Sequence, residues 1–256
     1  MFKIVFNIMK KYLTFIFKNE LYTDEDFDIN FQKEETSFYQ CCKNDPIFFF
    51  EHCVSSDIVI NEYVKRFVDS FINKKTLVVH NNRSIGVTTG YLILTLWLLT
   101  FYPSYNITII LPTNIHIYNF RNRLLNLFDS VHTFKSKYTF FKENNIIEIS
   151  DNLSKCKLIT NLRNEYDSAP VNTVFVDNAE MIPNVEEIFK SFFINELLSY
   201  CNDKDSEIET PYSPCGLVIS TSFSGYTNKS SFEFIRNLFD NHKKYGFEES
   251  IKLIVN

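Results

Sequence analysis

The stretch Thr76 to Phe101, TLVVHNNRSIGVTTGYLILTLWLLTF, constrains the fold more than any other part of the chain. A β-branched apolar run, Thr76 to Val79, leads into a polar turn, and Thr88, Thr89 and Gly90 then open a long apolar helix. The order is strand, loop, helix. In the phosphate-loop pattern G-x-x-x-x-G-K-[ST], backbone N–H groups and a helix N-terminus hold phosphate, the Lys reaches the β- and γ-phosphates, and the hydroxyl binds Mg²⁺. Laid on that pattern, Asn81 takes the first position, Gly86 the second glycine, Val87 the lysine and Thr88 the metal-binding hydroxyl. The turn keeps its geometry and loses its charge.

The rest of the chain decides what such a unit can belong to. A length of 256 residues fits one large domain, or one domain with an appendage, and can bury a full core. A net charge of −5 argues against a broad basic footprint for nucleic acid, so any DNA contact has to be local. The six cysteines (Cys41, Cys42, Cys53, Cys156, Cys201, Cys215) lack C-x-x-C spacing, and reduced, structural thiols are expected. With no secretory cleavage motif, the chain reads as intracellular.

Residues 1–18 place Lys3, Asn7, Lys10, Lys11, Thr14 and Lys18 in one sector of a helix and apolar residues everywhere else. Lys10 and Lys11 argue against a transmembrane span. Two readings remain for this amphipathic helix: it packs on its own domain or a partner subunit, or it lies on a membrane surface. Residues 19–40 form an acidic linker, and residues 41–256 the main domain.

Within that domain two helices precede the strand at Thr76, the first opened by a Pro in KNDPIFFFEHCV and the second carried by YVKRFVDSF. Further strands are expected at Asn106–Leu111, Thr173–Val176 and Gly216–Ser220, with short paired strands in KYTFF and NIIEI. Helices are expected from Thr113 or Asn114 to about Phe128, over Asn184–Tyr200, and from Ser230 to about His242, with a polar loop over Cys201–Cys215. This alternation predicts an α/β fold with a mostly parallel sheet flanked by helices, whose ligands sit beyond the carboxyl ends of the strands. Three such ends are polar: the Asn81–Thr89 loop, Asp177, and Ser220-Thr221-Ser222.

Taken in order, these segments resemble the ATPase domain of the large terminase subunits that package viral DNA. CKNDPIFFFEHCV is similar to that family's C-x-x-D-P-x-x-F opening, NNRSIGVTTG to its R-Q-x-G-K-[ST]-T loop, VFVDNAEMIPN to its Walker B segment with D-E-A-x-x-I-P-N, and VISTSFSG to its coupling segment. The resemblance covers roughly residues 41–245. It implies a P-loop NTPase fold of the ASCE type, ATP and Mg²⁺ as ligands, and Asn81, Arg83, Gly86, Val87, Thr88 and Thr89 as the nucleotide loop. Thr88 and Asp177 would hold the metal, and Ser220 and Thr221 would couple hydrolysis to movement; Glu180, two residues beyond the position of the family's base, is the candidate in this chain to replace it. Two departures matter: Val87 stands where the family has Lys, and Asn178 where it has the Glu that activates water. Asn cannot accept a proton as a general base, so a weakened or inactive ATPase subunit is expected. DNA, a viral portal or capsid, a homo- or hetero-oligomeric ring and a separate nuclease subunit are the partners implied, in an infected cell or virion. The family's nuclease domain is expected to be absent from this chain. The alternative is a repurposed P-loop fold acting as a scaffold or as an adaptor recruited to a membrane or partner through residues 1–18. For individual residues plainer roles stay open: Asp177 as a helix cap, Thr88 and Thr89 as caps of the helix they open, Ser220 and Thr221 as turn residues, Arg83 in a surface ion pair.

Overall fold

The computed structural model describes residues 37–74, 76–160, 171–190, 197, 216–222 and 229–254, and the chain divides into two units, Met1–Asn44 and Asp45–Asn256. In the first unit residues 37–44 are helical, so the last four residues of the linker expected over residues 19–40 are helix, while the expected amphipathic helix of residues 1–18 and the linker up to residue 36 lie outside the described residues. The sheet and its helices belong to the second unit.

That unit opens with helix α1 (Pro46–Cys53), set by Asp45, whose carboxylate accepts the Ile47 and Phe48 N–H groups at 2.8 and 3.0 Å, and by Pro46 in the first turn. Helix α2 (Glu62–Asn73) buries Val64, Phe67, Val68 and Phe71, an i, i+3, i+4, i+7 stripe, and is capped by Asn61. Strand β1 (Thr76–Asn81) is buried through Val79 and emerges at His80 and Asn81. Helix α3 (Val87–Phe101) follows, with twelve of its fifteen residues buried. A helix apolar on every side is stable only if every side is covered, at roughly 1.5–3 kcal/mol for each fully buried Leu or Ile. Here α1, α2 and helix α4 (Asn114–Ser130) pack around it, and the sheet closes the remaining side.

The other strands are β2 (Asn106–Ile110), β3 (Tyr138–Phe141), β4 (Ile146–Ile149), β5 (Lys155–Ile159), β6 (Thr173–Val176), β7 (Gly216–Thr221) and β8 (Glu249–Leu253). They form one sheet in the order β3-β4-β5-β2-β6-β7-β1-β8. From β5 to β8 all neighbours are parallel, and β3 and β4 add an antiparallel hairpin at one edge. Side chains alternate between the faces, as the strand period of two requires. On β6, Phe175 faces α3, its ring 4.8 Å from that of Tyr91, while Val174 and Val176 join the opposite core. That core includes Ala179 and Ile182, Val185 and Ile188 of helix α5 (Val185–Phe189), and Ile235 and Leu238 of helix α6 (Lys229–Asp240).

The expected strands at residues 106, 173 and 216 and the KYTFF–NIIEI hairpin are present. Two strands were not anticipated, β5 and β8, both short and each carrying two charges in five residues. Of the helix expected over Asn184–Tyr200, α5 and the helical Leu197 are described; residues 191–196, 198–200 and the polar loop to residue 215 lie outside the described residues. Among the described residues no helix is long and apolar enough to cross a membrane, and Cys41, Cys42, Cys53 and Cys156 are free thiols.

Candidate functional site

Because β7 lies between β1 and β6, three polar strand ends meet at one edge of the sheet: the loop after β1, Asp177 after β6, and Ser220 to Ser222 closing β7. The loop is shaped by backbone conformation. Ser84 has φ 65° and Gly86 φ 102°, and Gly86 is the residue before α3. A Cβ on Gly86 would lie 2.6 Å from Val64 Cγ2, so glycine answers both a left-handed φ and a close approach by α2. Asn61 ties the two together: its Oδ1 accepts the Val64 N–H at 2.9 Å, and its amide donates to the Ile85 carbonyl at 3.1 Å. No side chain caps α3, whose first intrahelical donor is Gly90 N–H to Gly86 O at 2.9 Å. The N–H groups of Val87, Thr88 and Thr89 therefore have no intrahelical acceptor and form the kind of helix start that holds anions.

Two buried carboxylates lie at these strand ends, each gripped by two hydroxyls, and Asp177 reaches the loop through Thr88. Thr88 Oγ1 donates to Asp177 Oδ2 at 2.7 Å and Ser220 Oγ to Asp177 Oδ1 at 3.0 Å. Thr221 Oγ1 donates to Glu180 Oε2 at 2.9 Å and Ser222 Oγ to Glu180 Oε1 at 2.8 Å. Asp177 is 4% and Glu180 0% exposed. Burial raises the Asp177 pKa and Glu180 raises it further, while the Thr88 and Ser220 hydrogen bonds pull it down. Beneath them Tyr91 donates its hydroxyl to the Val176 carbonyl at 3.3 Å, and burial beside Asp177 holds that phenol well above its usual range.

Of the residues expected from the sequence, the structure brings Thr88, Asp177, Glu180, Ser220 and Thr221 together. The capping role left open for Asp177 is not the one seen: Asn178, at φ 52°, precedes the short 3-10 turn Ala179–Met181, and the Asp177 carboxylate turns to Thr88 and Ser220. Nor do Thr88 and Thr89 cap α3, which starts from Gly86. Asn81 turns its amide to the Asn82 carbonyl at 3.0 Å. Arg83 is exposed, whereas Val87 is buried. Ser222 was expected only as part of the polar β7 end, without a role, and Asn61 and Arg123 of α4 were not anticipated; Arg123 Nη2 donates to Thr89 Oγ1 at 3.1 Å. Only Ser222 carried a signal, as the third polar residue of the β7 end.

Among the described residues no group of three His, Cys, Asp or Glu could hold a metal by itself. Mg²⁺ does not need one, since it is commonly held by one or two carboxylates together with phosphate and water. The donors fit that ion: Asp177 Oδ2 and Thr88 Oγ1 are 2.7 Å apart beside a helix start that suits phosphate.

A parallel sheet with one strand inserted between the loop strand and the acidic strand defines a P-loop NTPase fold of the ASCE type. Solved structures narrow this further. The chain is similar to the large terminase ATPase domain of Thermus phage P74-26, at 17% identity and TM-score 0.50, over 73% of this chain and 72% of that one. A second structure of that domain, a point variant, matches at 14% identity and TM-score 0.54, over 79% and 86%. The large terminase of bacteriophage HK97 matches at 10% identity and TM-score 0.58 over 83% of this chain, which spans 43% of that protein. No family model and no curated protein matches the sequence. At these identities the likeness is one of fold: the chain has the fold of a large terminase ATPase domain.

Proposed function

We propose that this chain is a terminase-type ATPase domain of a viral DNA-packaging machinery, which binds ATP with Mg²⁺ at the Gly86–Thr89 loop and hydrolyses it weakly or not at all. The observation that carries the reading is the 2.7 Å hydrogen bond between Thr88 and Asp177 beside the left-handed Gly86 turn. Thr88 and Asp177 would hold Mg²⁺, which supplies charge neutralisation for the phosphates. Ser220 fixes the Asp177 carboxylate, so a nucleotide-dependent change at the loop reaches the end of β7 through Asp177.

The weakening follows from three residues. Val87 brings no cation to the loop, and Asn178 no base. Glu180 has the right chemistry, yet both its oxygens are engaged by Thr221 and Ser222 and it has no solvent exposure. It becomes a base only if those hydroxyls let go. DNA, a portal or capsid, a nuclease subunit and other copies of this chain are the partners this reading entails. The buried Val87 favours a second reading, a scaffold or adaptor that uses the fold without hydrolysis.

Phosphate release from ATP and Mg²⁺ tests the reading. Wild-type turnover is expected near background, and Asn178→Glu is expected to raise it, since a positioned general base is commonly worth 10²–10⁴-fold. Wild-type turnover of about 1 s⁻¹ or more, ordinary for an enzyme, would overturn the weakened assignment. If that activity vanished in Glu180→Gln, Glu180 would be the base.

A further inference from the structure

We infer that Arg123 is the cation that takes over the missing lysine's work, contacting the phosphate chain of the nucleotide from helix α4. This inference rests on the reading of the loop as a nucleotide site and adds to it a residue outside the loop.

The loop itself is poor in positive charge where a polyphosphate would lie. Val87 is apolar and buried, and Arg83 is exposed in the turn. Asp177 meets the loop through Thr88, and Glu180, buried behind hydroxyls of the β7 end, acts on the Asp177 charge. A polyphosphate beside that acidic pair is favoured by positive charge beyond that of Mg²⁺, because like charges in a partly dry site repel. Arg123 is the basic side chain that α4 brings to this point. Its Nη2 lies 3.1 Å from Thr89 Oγ1, in the first turn of α3, one residue from the Thr88 hydroxyl that meets Asp177. Partial desolvation of its head lowers the guanidinium pKa while the Asp177 charge pulls it up, which places it within electrostatic reach of the carboxylate.

The bonding of this guanidinium also leaves it able to receive an anion. A guanidinium has five N–H donors arranged to pair with phosphate or carboxylate. The hydrogen bond that positions Arg123 goes to a neutral hydroxyl, which accepts one of the five. Thr89 thus holds the head beside the N–H groups at the start of α3, with donors left for phosphate oxygens. The contact runs between helices, so the site's charge is tied to the packing of α4 on α3.

The test is a titration of the purified full chain with a fluorescent ATP analogue and Mg²⁺, with adenosine as a competitor, in wild type, Arg123→Gln, Arg123→Lys and Thr88→Ala/Asp177→Ala. Arg123→Gln is expected to weaken ATP about tenfold or more, the loss of one charge-assisted hydrogen bond, with adenosine competing as before. Arg123→Lys is expected to recover part of the loss. If Arg123→Gln binds ATP as wild type does while Thr88→Ala/Asp177→Ala does not, the assignment of Arg123 is wrong and the nucleotide site stands. Equal weakening of ATP and adenosine would make Arg123 a packing residue and also overturn the assignment. If wild type itself does not bind ATP, both the site and the assignment fall.

Discussion

Gly86→Ala measures how firmly α2 braces the loop. The new Cβ meets two costs. At φ 102° an L side chain is strained, by roughly 1–2 kcal/mol. It also lands 2.6 Å from Val64 Cγ2, on a residue only 1% exposed, and overpacking of that kind costs about 1–3 kcal/mol. Alanine recovers about 0.4–1 kcal/mol by restricting the unfolded chain, leaving a destabilisation of about 3 kcal/mol. Val64→Ala removes the atom that would collide, at a cavity cost of about 2 kcal/mol on its own. In the double variant the collision is gone and the backbone strain remains, so the loss should fall short of the sum by about 1–2 kcal/mol. Urea unfolding of the four proteins, compared at constant m-value, reads this directly. Additivity within about 0.5 kcal/mol would refute the claim that α2 presses on the loop.

Other expectations follow from neighbouring contacts. Gly90→Ala, which stabilises an open helix by about 1 kcal/mol, should instead destabilise here, because the Cβ would sit 2.3 Å from Phe67 Cδ1; the melting temperature checks the sign. Asp177 has a folded pKa above its unfolded value, so the folded state binds more protons and stability falls as pH rises from 3.8 through the raised pKa. Asp177→Asn should therefore melt no lower than wild type at pH 7 without nucleotide, and lose any stabilisation by ATP and Mg²⁺. His80 is shifted the other way, to about 4, first by burial and then by Lys252. The folded state binds fewer protons there, so stability should fall as pH drops from 6.5 towards 4, by about 1–2 kcal/mol after discounting for solvent at this partly buried ring. His80→Gln should flatten that limb of the stability profile.

The parts of the site legible in the sequence are those whose signals are local. A β-branched run, a turn with glycine and a hydroxyl pair before an apolar helix identify the loop within 14 residues, Thr76 to Thr89. Asp177 and Ser220 each close a buried strand, and a parallel sheet brings such ends to one edge. What stayed hidden depends on packing between distant elements. Arg123 lies 34 residues from Thr89 and meets it only through the docking of α4 on α3. Asn61 reads as an ordinary helix cap until its amide is seen on the Ile85 carbonyl. Strand β8 reads ESIKL, with charges at two of five positions, and gains its place by pairing with β1 at the sheet edge.

The most direct test of the nucleotide site is the thermal shift of the full chain with ATP and Mg²⁺, in wild type and in Thr88→Ala/Asp177→Ala. A ligand present at 100 times its dissociation constant stabilises the folded state by about 2.7 kcal/mol. For a domain of this size that is a rise of several degrees. The expected result is such a rise in wild type and none in the double variant. An unchanged wild-type melting temperature at millimolar ATP, or the same rise in both proteins, would contradict it.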